Sequence, residues 1–468
     1  MKLVQDVHYR DSIREPMNDF FRFQNKALIS ATPIVPEKDS RFDGFMRVLI
    51  QPDYVYRQKL KLITTNNVLE TLQEVIEAKR GTVCIFCNSI DSIDSFYRLI
   101  PELSNACTFC SEDGQYKLWK GNRRKKSMMI TELERYNFFT SRFYSAVDIL
   151  CKNPPHVIFV SDLYGAAQSV IDPATEAIQI IGRFRGGVNS VTHIASIRPE
   201  LECMSSSEID HWIQGASTIF NGWKAQLART TNIGERTLLQ EAIGENSYLP
   251  YLDENGKPDS FLIANFYEKE QVKRLYTSAD LLHLAYEQTG YFVFSHEERL
   301  MPVSDNERMA IQHRLAKKKR AELIVRKLEE MEKMSRATDK KIQKRYQRML
   351  MNLITSTADR YIYDCFCRFG AKFVREADYN ENKLRTALNV SSEHTIKKSG
   401  QMRTYIQRAF PVGAEISVQE AKSMLRQVYK KMGLNTGRGI TTKELEQYAE
   451  IENSRNREAR MIKILKHK

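Results

Sequence analysis

The stretch Gln179-Ile180-Ile181-Gly182-Arg183-Phe184-Arg185-Gly186-Gly187 closes an apolar run with two arginines set among glycines. A guanidinium keeps its charge near neutral pH and presents a fixed fork of donors. In a phosphate site, such a group stabilises the charge that spreads over a transferring phosphoryl group. The same residues also read as a plain helix C-terminus. There, arginines favour the negative end of the dipole and Gly ends the helix. The spacing alone leaves both readings open.

Two further patterns carry possible chemistry. Four of the eight cysteines form the pairs Cys84-x-x-Cys87 and Cys107-x-x-Cys110 with 19 residues between them, a zinc-like spacing. Each pair lies in an apolar, strand-like segment, however, and residues three apart in a strand point to opposite faces. Core cysteines are therefore expected, with no metal site. A zinc-stapled interaction protein is the weakest of the readings weighed. The second pattern is basic. Residues 313–349 hold 14 Lys and Arg against 5 Asp and Glu. Lys317, Lys318, Lys319 and Arg320 are its densest run and its candidate nucleic-acid contacts. A solvated helical arm accounts for the run equally well.

The elements that must position these residues follow from periodicity. Strands are expected at residues 82–87, 107–111, 138–141, 157–162 and 191–197. Helices are expected at 68–77, 90–100 and 174–183. Strands alternating with helices imply α/β architecture, a parallel sheet with helices on both faces. Ligands then bind at the carboxyl ends of the strands, where Asn88-Ser89, Ser141-Arg142 and Ser161-Asp162 fall. Residues 9–23 read as an amphipathic helix, and residues 26–33 and 45–50 as short strands. Residues 201–304 read as a helical accessory region, and 305–355 as one long basic helix with Leu315, Ile324, Leu328 and Met331 on its apolar stripe. Residues 356–468 read as a mostly α-helical terminal module. Within it, Ser417-Val418-Gln419-Glu420 and Thr441-Thr442-Lys443-Glu444 are capping boxes, and Gly433 ends the first helix. Two capped helices after a basic stretch suit a helix-turn-helix or winged-helix reader, or a plain packing module. The tail from Arg455, with six Lys and Arg against one Glu, is expected to fray.

Composition bounds the function. The 468 residues allow about two to four domains. The net charge of +13 attracts polyanions, nucleic acid before an anionic membrane surface. No apolar run is long enough for a membrane span, and the first residues do not form a signal peptide. A cytoplasmic protein with reduced cysteines is expected.

In order along the chain, four stretches resemble motifs of superfamily 2 helicases. Ser30-Ala31-Thr32 resembles motif III, and Cys84-Ile85-Phe86-Cys87-Asn88-Ser89 motif IV. Thr140-Ser141-Arg142-Phe143-Tyr144-Ser145-Ala146-Val147-Asp148-Ile149 resembles motif V, and Gln179 to Arg185 motif VI. The resemblance covers residues 1–200. It implies the end of a first RecA-like domain at 1–60 and a complete second RecA-like domain at 61–200. It also implies that Arg183 reaches the ATP γ-phosphate, with Gln179 on the same cleft wall and Arg185 beside it. Asp148 would contact the ribose or the motif VI arginines. Ser30 and Thr32 would couple nucleotide state to lobe movement, and Asn88, Ser89, Thr140 and Arg142 would face a nucleic-acid backbone. ATP and Mg²⁺ are the implied cofactors, and nucleic acid is the implied partner, DNA favoured over RNA.

The sequence departs from the family pattern in three ways. Arg185 follows Arg183 by two residues where three is common. Ala146 stands where motif V usually has Gly, which reduces backbone freedom. No G-x-x-x-x-G-K-[ST] loop is present, and the Gly-rich stretch from Gly433 to Gly439 lacks the lysine. The chain therefore reads as the C-terminal portion of an ATP-dependent helicase or translocase, inactive without a separate lobe that carries the phosphate loop and the Asp-Glu motif. The alternative is a non-catalytic nucleic-acid-binding remnant.

Overall fold

The computed structural model describes residues 2–5, 13, 15–36, 38–119, 125–130, 132–145, 147–301, 303–311, 315–334, 340–434, 436, 439–455 and 459–468. Ala146 and, in the Gly-rich stretch, Asn435, Gly437 and Arg438 lie outside them. The chain divides into two units, residues 1–309 and 310–468.

The first unit begins with α1 (Lys2–Gln5) and α2 (Glu15–Arg22), followed by β1 (Gln58–Thr65), α3 (Val68–Glu77), β2 (Val83–Phe86), α4 (Ile90–Leu99), β3 (Cys107–Phe109) and α5 (Glu112–Trp119). Next come β4 (Lys125–Ser127), β5 (Tyr136–Phe139), β6 (His156–Ser161), α6 (Glu176–Ile181) and β7 (Ser190–Ser196). It closes with α7 (Ser206–Arg229), α8 (Ile233–Gly244), α9 (Ser260–Leu275), α10 (Ala279–Gln288), β8 (Phe292–Arg299) and α11 (Asp305–Met309). The strands form one eight-stranded sheet in the order β4-β3-β5-β2-β6-β7-β1-β8. Every pairing in it is parallel. This is the expected α/β architecture with helices on both faces.

Alternation along the strands builds two cores. Leu62, Cys84, Phe86, Phe139 and Phe159 join α6, α9 and α10 on one face. Ile63, Ile85, Phe138, Ile158 and Ile194 join α3 and α4 on the other. Cys84 and Cys107 fall in the first core, Cys87 and Cys110 in the second, as period-two geometry requires. Neither pair converges on a common point. A buried polar network ties α9 and α10 to the sheet. His193 Nδ1 lies 2.7 Å from the Tyr286 hydroxyl, and His193 Nε2 lies 3.1 Å from Ser161 Oγ. Tyr276 donates to the Ile171 carbonyl at 2.7 Å.

Several expected elements differ. Residues 26–33 and 45–50 form no strand and enter no sheet. The second stretch leaves Met46, Val48, Leu49 and Ile50 at 68–89% exposure. A short strand without a partner has nothing to satisfy its backbone. Strands β1 and β8 complete the sheet instead, so residues 201–304 are not purely helical. In β8 the sequence Phe-Val-Phe-Ser-His-Glu-Glu-Arg turns polar halfway because the strand lies at the sheet edge, where one side faces solvent and alternation weakens.

The second unit contains α12 (Lys317–Met334), α13 (Lys340–Ser356), α14 (Arg360–Glu376), α15 (Glu381–Lys397) and α16 (Gly400–Ala409). After these come β9 (Glu415–Ser417), α17 (Val418–Lys431), a 3-10 turn (Thr442–Gln447), β10 (Ala449–Arg455) and β11 (Arg460–His467). The long helix expected at 305–355 is three separate helices, α11 to α13, and Ile324 and Leu328 of α12 are buried. Ser417 caps α17 through the Glu420 amide, and Gly433 with φ +70° terminates it. The second capping box opens only the 3-10 turn. The tail does not fray: β11 pairs with β10 and β9 in an antiparallel sheet ordered β10-β11-β9. Its Ile462 and Ile464 reach a core with Ile406, Phe410 and Leu425. Among the described residues, no helix is long and apolar enough to cross a membrane.

Candidate nucleotide-facing site

The arginine stretch is organised by the end of α6. That helix runs from Glu176 to Ile181 and is closed by Gly182, whose N–H bonds back to the Ile178 carbonyl. Ile180 and Ile181 anchor it in the core, as does Phe184 just beyond. These anchors turn Gln179, Arg183 and Arg185 away from the packed face.

Arg183 is held by neutral oxygens. Its Nε donates to the Gln179 carbonyl at 3.0 Å and Nη1 to the Val147 carbonyl at 3.1 Å, and Nη2 lies 3.4 Å from Gln179 Oε1. Among the described residues it forms no ion pair. Burial, assisted by the Arg185 charge, draws its pKa below the usual arginine value, and Asp148 opposes this. A cation that dipoles orient but no carboxylate neutralises retains its attraction for an incoming anion.

The neighbours of Arg183 come from the other expected stretches. Gln179 Nε2 donates to Thr32 Oγ1 at 2.9 Å, and the Thr32 amide donates to Ser30 Oγ at 3.1 Å. Thr32 is buried, with 3% exposure. Arg185 Nε donates to Asp148 Oδ1 at 3.0 Å in an exposed pair. The loop carrying Val147 and Asp148 is pinned by the Ile149 amide, which donates to the Arg183 carbonyl at 2.9 Å. Ser30, Thr32, Asp148, Gln179, Arg183 and Arg185 therefore form one connected cluster drawn from three distant parts of the chain. The Val147 carbonyl is the member that sequence reasoning missed, since a backbone acceptor leaves no residue-type signal.

The residues expected to face nucleic acid form a second group on the carboxyl edge of the sheet. Asn88 follows β2, and its Nδ2 reaches the Gln168 carbonyl at 3.5 Å. Ser89 is buried and caps α4, accepting from the Ser92 amide at 3.0 Å. Thr140 follows β5 beside it, with its amide on the Phe109 carbonyl, and Arg142 is exposed. Asp162, at the end of β6, is occupied by Ser92 Oγ at 2.9 Å and the Gly165 amide at 3.0 Å.

The remaining candidates lie in the second unit and are largely paired. Lys317 bonds Glu381, and Lys318 lies 2.6 Å from Asp378. Arg320 grips buried Asp359 at 2.6 and 3.2 Å. Lys319 is exposed without an ion pair among the described residues. The basic run is thus in large part a set of structural ion pairs.

The cluster around Arg183 places a guanidinium that has no carboxylate partner among the described residues beside amide and hydroxyl groups. The carboxylates near these sites are committed, Asp148 to Arg185 and Asp162 to Ser92. Among the described residues no group of three or more His, Cys, Asp or Glu could hold a metal ion. No family model, curated protein or solved structure matches this chain.

Proposed function

We propose that this chain supplies the arginine-bearing wall of a nucleotide cleft in an ATP-dependent nucleic-acid helicase or translocase. The observation that carries the reading is Arg183, fixed by two carbonyls, free of a carboxylate and linked through Gln179 to Thr32. The phosphate-cradling loop and the acidic pair that holds Mg²⁺ belong to a partner lobe, as a separate segment or chain. ATP then binds between the two, with Arg183 stabilising the charge on the transferring phosphoryl group. The exposed Met46, Val48, Leu49 and Ile50 suit a surface that such a lobe covers. Asn88 and exposed Arg142 provide amide and guanidinium donors for a backbone track, which grips phosphates without reading bases. Ser89 and Thr140, buried and bonded within the fold, shape that edge without reaching it. DNA is the favoured substrate, and the cytoplasm the setting.

The test is complementation. Joined to the polypeptide encoded immediately upstream, by fusion or in trans, the chain gains nucleic-acid-stimulated ATP hydrolysis that Arg183→Ala abolishes. Full turnover in Arg183→Ala would overturn the role of this residue. The second reading, a nucleic-acid-binding protein without catalysis, is favoured by the absence of any phosphate-cradling loop in the sequence. It predicts salt-dependent binding with no turnover in any combination.

A further inference from the structure

The end of the second unit runs helix α16, strand β9, helix α17, 3-10 turn, strand β10, strand β11. Its first strand pairs with its last. This is the connectivity of a winged helix, with one departure. The position of the second, groove-reading helix is taken by a turn of only six residues, Thr442–Gln447. That turn is poorly suited to a phosphate surface. Glu444 is drawn inward, accepting from Tyr429 at 2.7 Å and Lys397 at 2.9 Å, and Glu446 is exposed.

The β10–β11 hairpin has the opposite character. Along its ladder Glu450 faces Lys466 and Glu452 faces Lys463, but Arg455 faces Arg460. Both arginines are exposed, and neither forms an ion pair among the described residues. Like charges directly across a ladder destabilise it. A polyanion laid along the hairpin offsets that cost. Asn453 and Ser454 extend the exposed surface with neutral hydrogen-bonding groups. A two-stranded ribbon matches the width of a duplex groove. The hairpin strands carry no Phe, Tyr or Trp, so they lack the stacking platforms that single-strand grooves use.

We infer that the Arg455/Arg460 end of this hairpin is a duplex-binding wing that contacts phosphates through the paired arginines and takes over the contact a reading helix would otherwise make. The inference deepens the nucleic-acid reading above. ATP turnover with the partner lobe reports that reading and the binding slope reports this one, so each can fail alone.

The experiment measures fluorescence anisotropy of a short blunt DNA duplex against the full chain over a salt series. Arg455→Gln/Arg460→Gln lowers the slope of log K against log salt by about 2 and weakens binding at physiological salt roughly thirtyfold. Arg455→Lys/Arg460→Lys keeps the slope. Arg455→Gln alone lowers it by about 1, which preserves the test if the double variant melts early. Unchanged slope and affinity in the folded glutamine variants overturn the inference, as does failure of the unsubstituted chain to bind duplex. A loss confined to phosphatidylserine-containing vesicles, with duplex binding intact, also overturns it and assigns the wing to a lipid surface.

Discussion

Arg183 and Arg320 both emerge from arginine- or lysine-bearing stretches, yet their surroundings differ in kind. Around Arg183 the acceptors are the carbonyls of Gln179 and Val147. Around Arg320 they are both oxygens of the Asp359 carboxylate, which is 2% exposed. Carbonyl dipoles fix a guanidinium in place and leave its charge available. A carboxylate fixes it and cancels the charge. Basic residues in a sequence are thus not equivalent as candidate anion sites, and the partner's chemistry decides which cation is spare.

The sharpest way to break this contrast is substitution at its two poles. In the complemented protein, Arg183→Ala should lower ATP turnover roughly a thousandfold, the lower range for an arginine finger. Arg183→Lys should not rescue it, because a point charge cannot hold both the Gln179 and Val147 carbonyls and reach outward. Steady-state ATPase rates decide this: retained turnover in Arg183→Ala removes Arg183 from the reaction, and retained turnover in Arg183→Lys shows that a point charge suffices there. Folding stability of these variants should change little.

Arg320→Ala should do the reverse. It leaves Asp359 buried without its partner, at a cost of about 3 kcal/mol. Urea titration of the isolated substitution reads this directly. ATP turnover per folded molecule should stay unchanged. A stable Arg320→Ala protein would mean that the pair is dispensable and its charge available after all.

The difference between these two arginines was only half legible in the sequence. Gln179 lies four residues before Arg183, so helical spacing alone places it beside the guanidinium. The Val147 carbonyl lies 36 residues away, and Asp359 and Glu381 lie 39 and 64 residues from their cations. Charge runs are read locally, whereas the carboxylates that cancel them arrive through tertiary packing. The same limit explains the strands. Those at the sheet centre are apolar enough to declare themselves, as in Val83–Phe86. Edge strand β8 ends in His-Glu-Glu-Arg, and residues 45–50 carry strand-like side chains with no neighbour to pair with. The Thr32 to Gln179 bond spans 147 residues and was visible only as two motif-like stretches in the right order.

Half-buried Glu268 and buried His193 should also show in pH dependence. Glu268 accepts from Gln5 Nε2 at 2.6 Å, and burial, with Asp172 nearby, lifts its pKa to about 7. The unfolded carboxyl loses its proton near 4.5, so stability falls as pH rises from there to about 7. Burial of His193 works in the other direction. Its pKa drops to about 3, so the unfolded chain takes up a proton below pH 6.5 while the folded chain does not. Stability is then lost as pH falls from 6.5 toward 3. Between 4.5 and 6.5 the two effects oppose each other. Glu268→Gln should therefore raise stability at pH 8 by on the order of 2 kcal/mol, and by nothing at pH 4. It should also uncover the histidine limb, with a slope of about 1.4 kcal/mol per pH unit. Thermal melts across pH test both; a flat difference between variant and parent would show that Glu268 is solvated.

The smallest expected effect lies at the exposed end of α12, and it sharpens the comparison most. Lys317 and Lys318 pair with Glu381 and Asp378 where both partners retain access to water. Exposed pairs of this kind contribute little to stability and weaken with salt. The pKa of Glu381 is lowered, chiefly by its bond to Lys317 and then by Arg385. Its contribution is therefore present above about pH 4.5, the carboxyl's ordinary value, and disappears as pH falls below it. Lys317→Ala/Lys318→Ala should thus shift the urea midpoint only slightly, and less in high salt. If these lysines are committed to their carboxylates, the same variant should bind duplex nearly as well as its parent, with the salt slope unchanged. A slope reduced by about 2 would show that both lysines leave their partners for phosphates. In that case α12 would belong with Arg183 among the chain's available cations, and the distinction drawn from their partners would fail at the surface while holding in the interior.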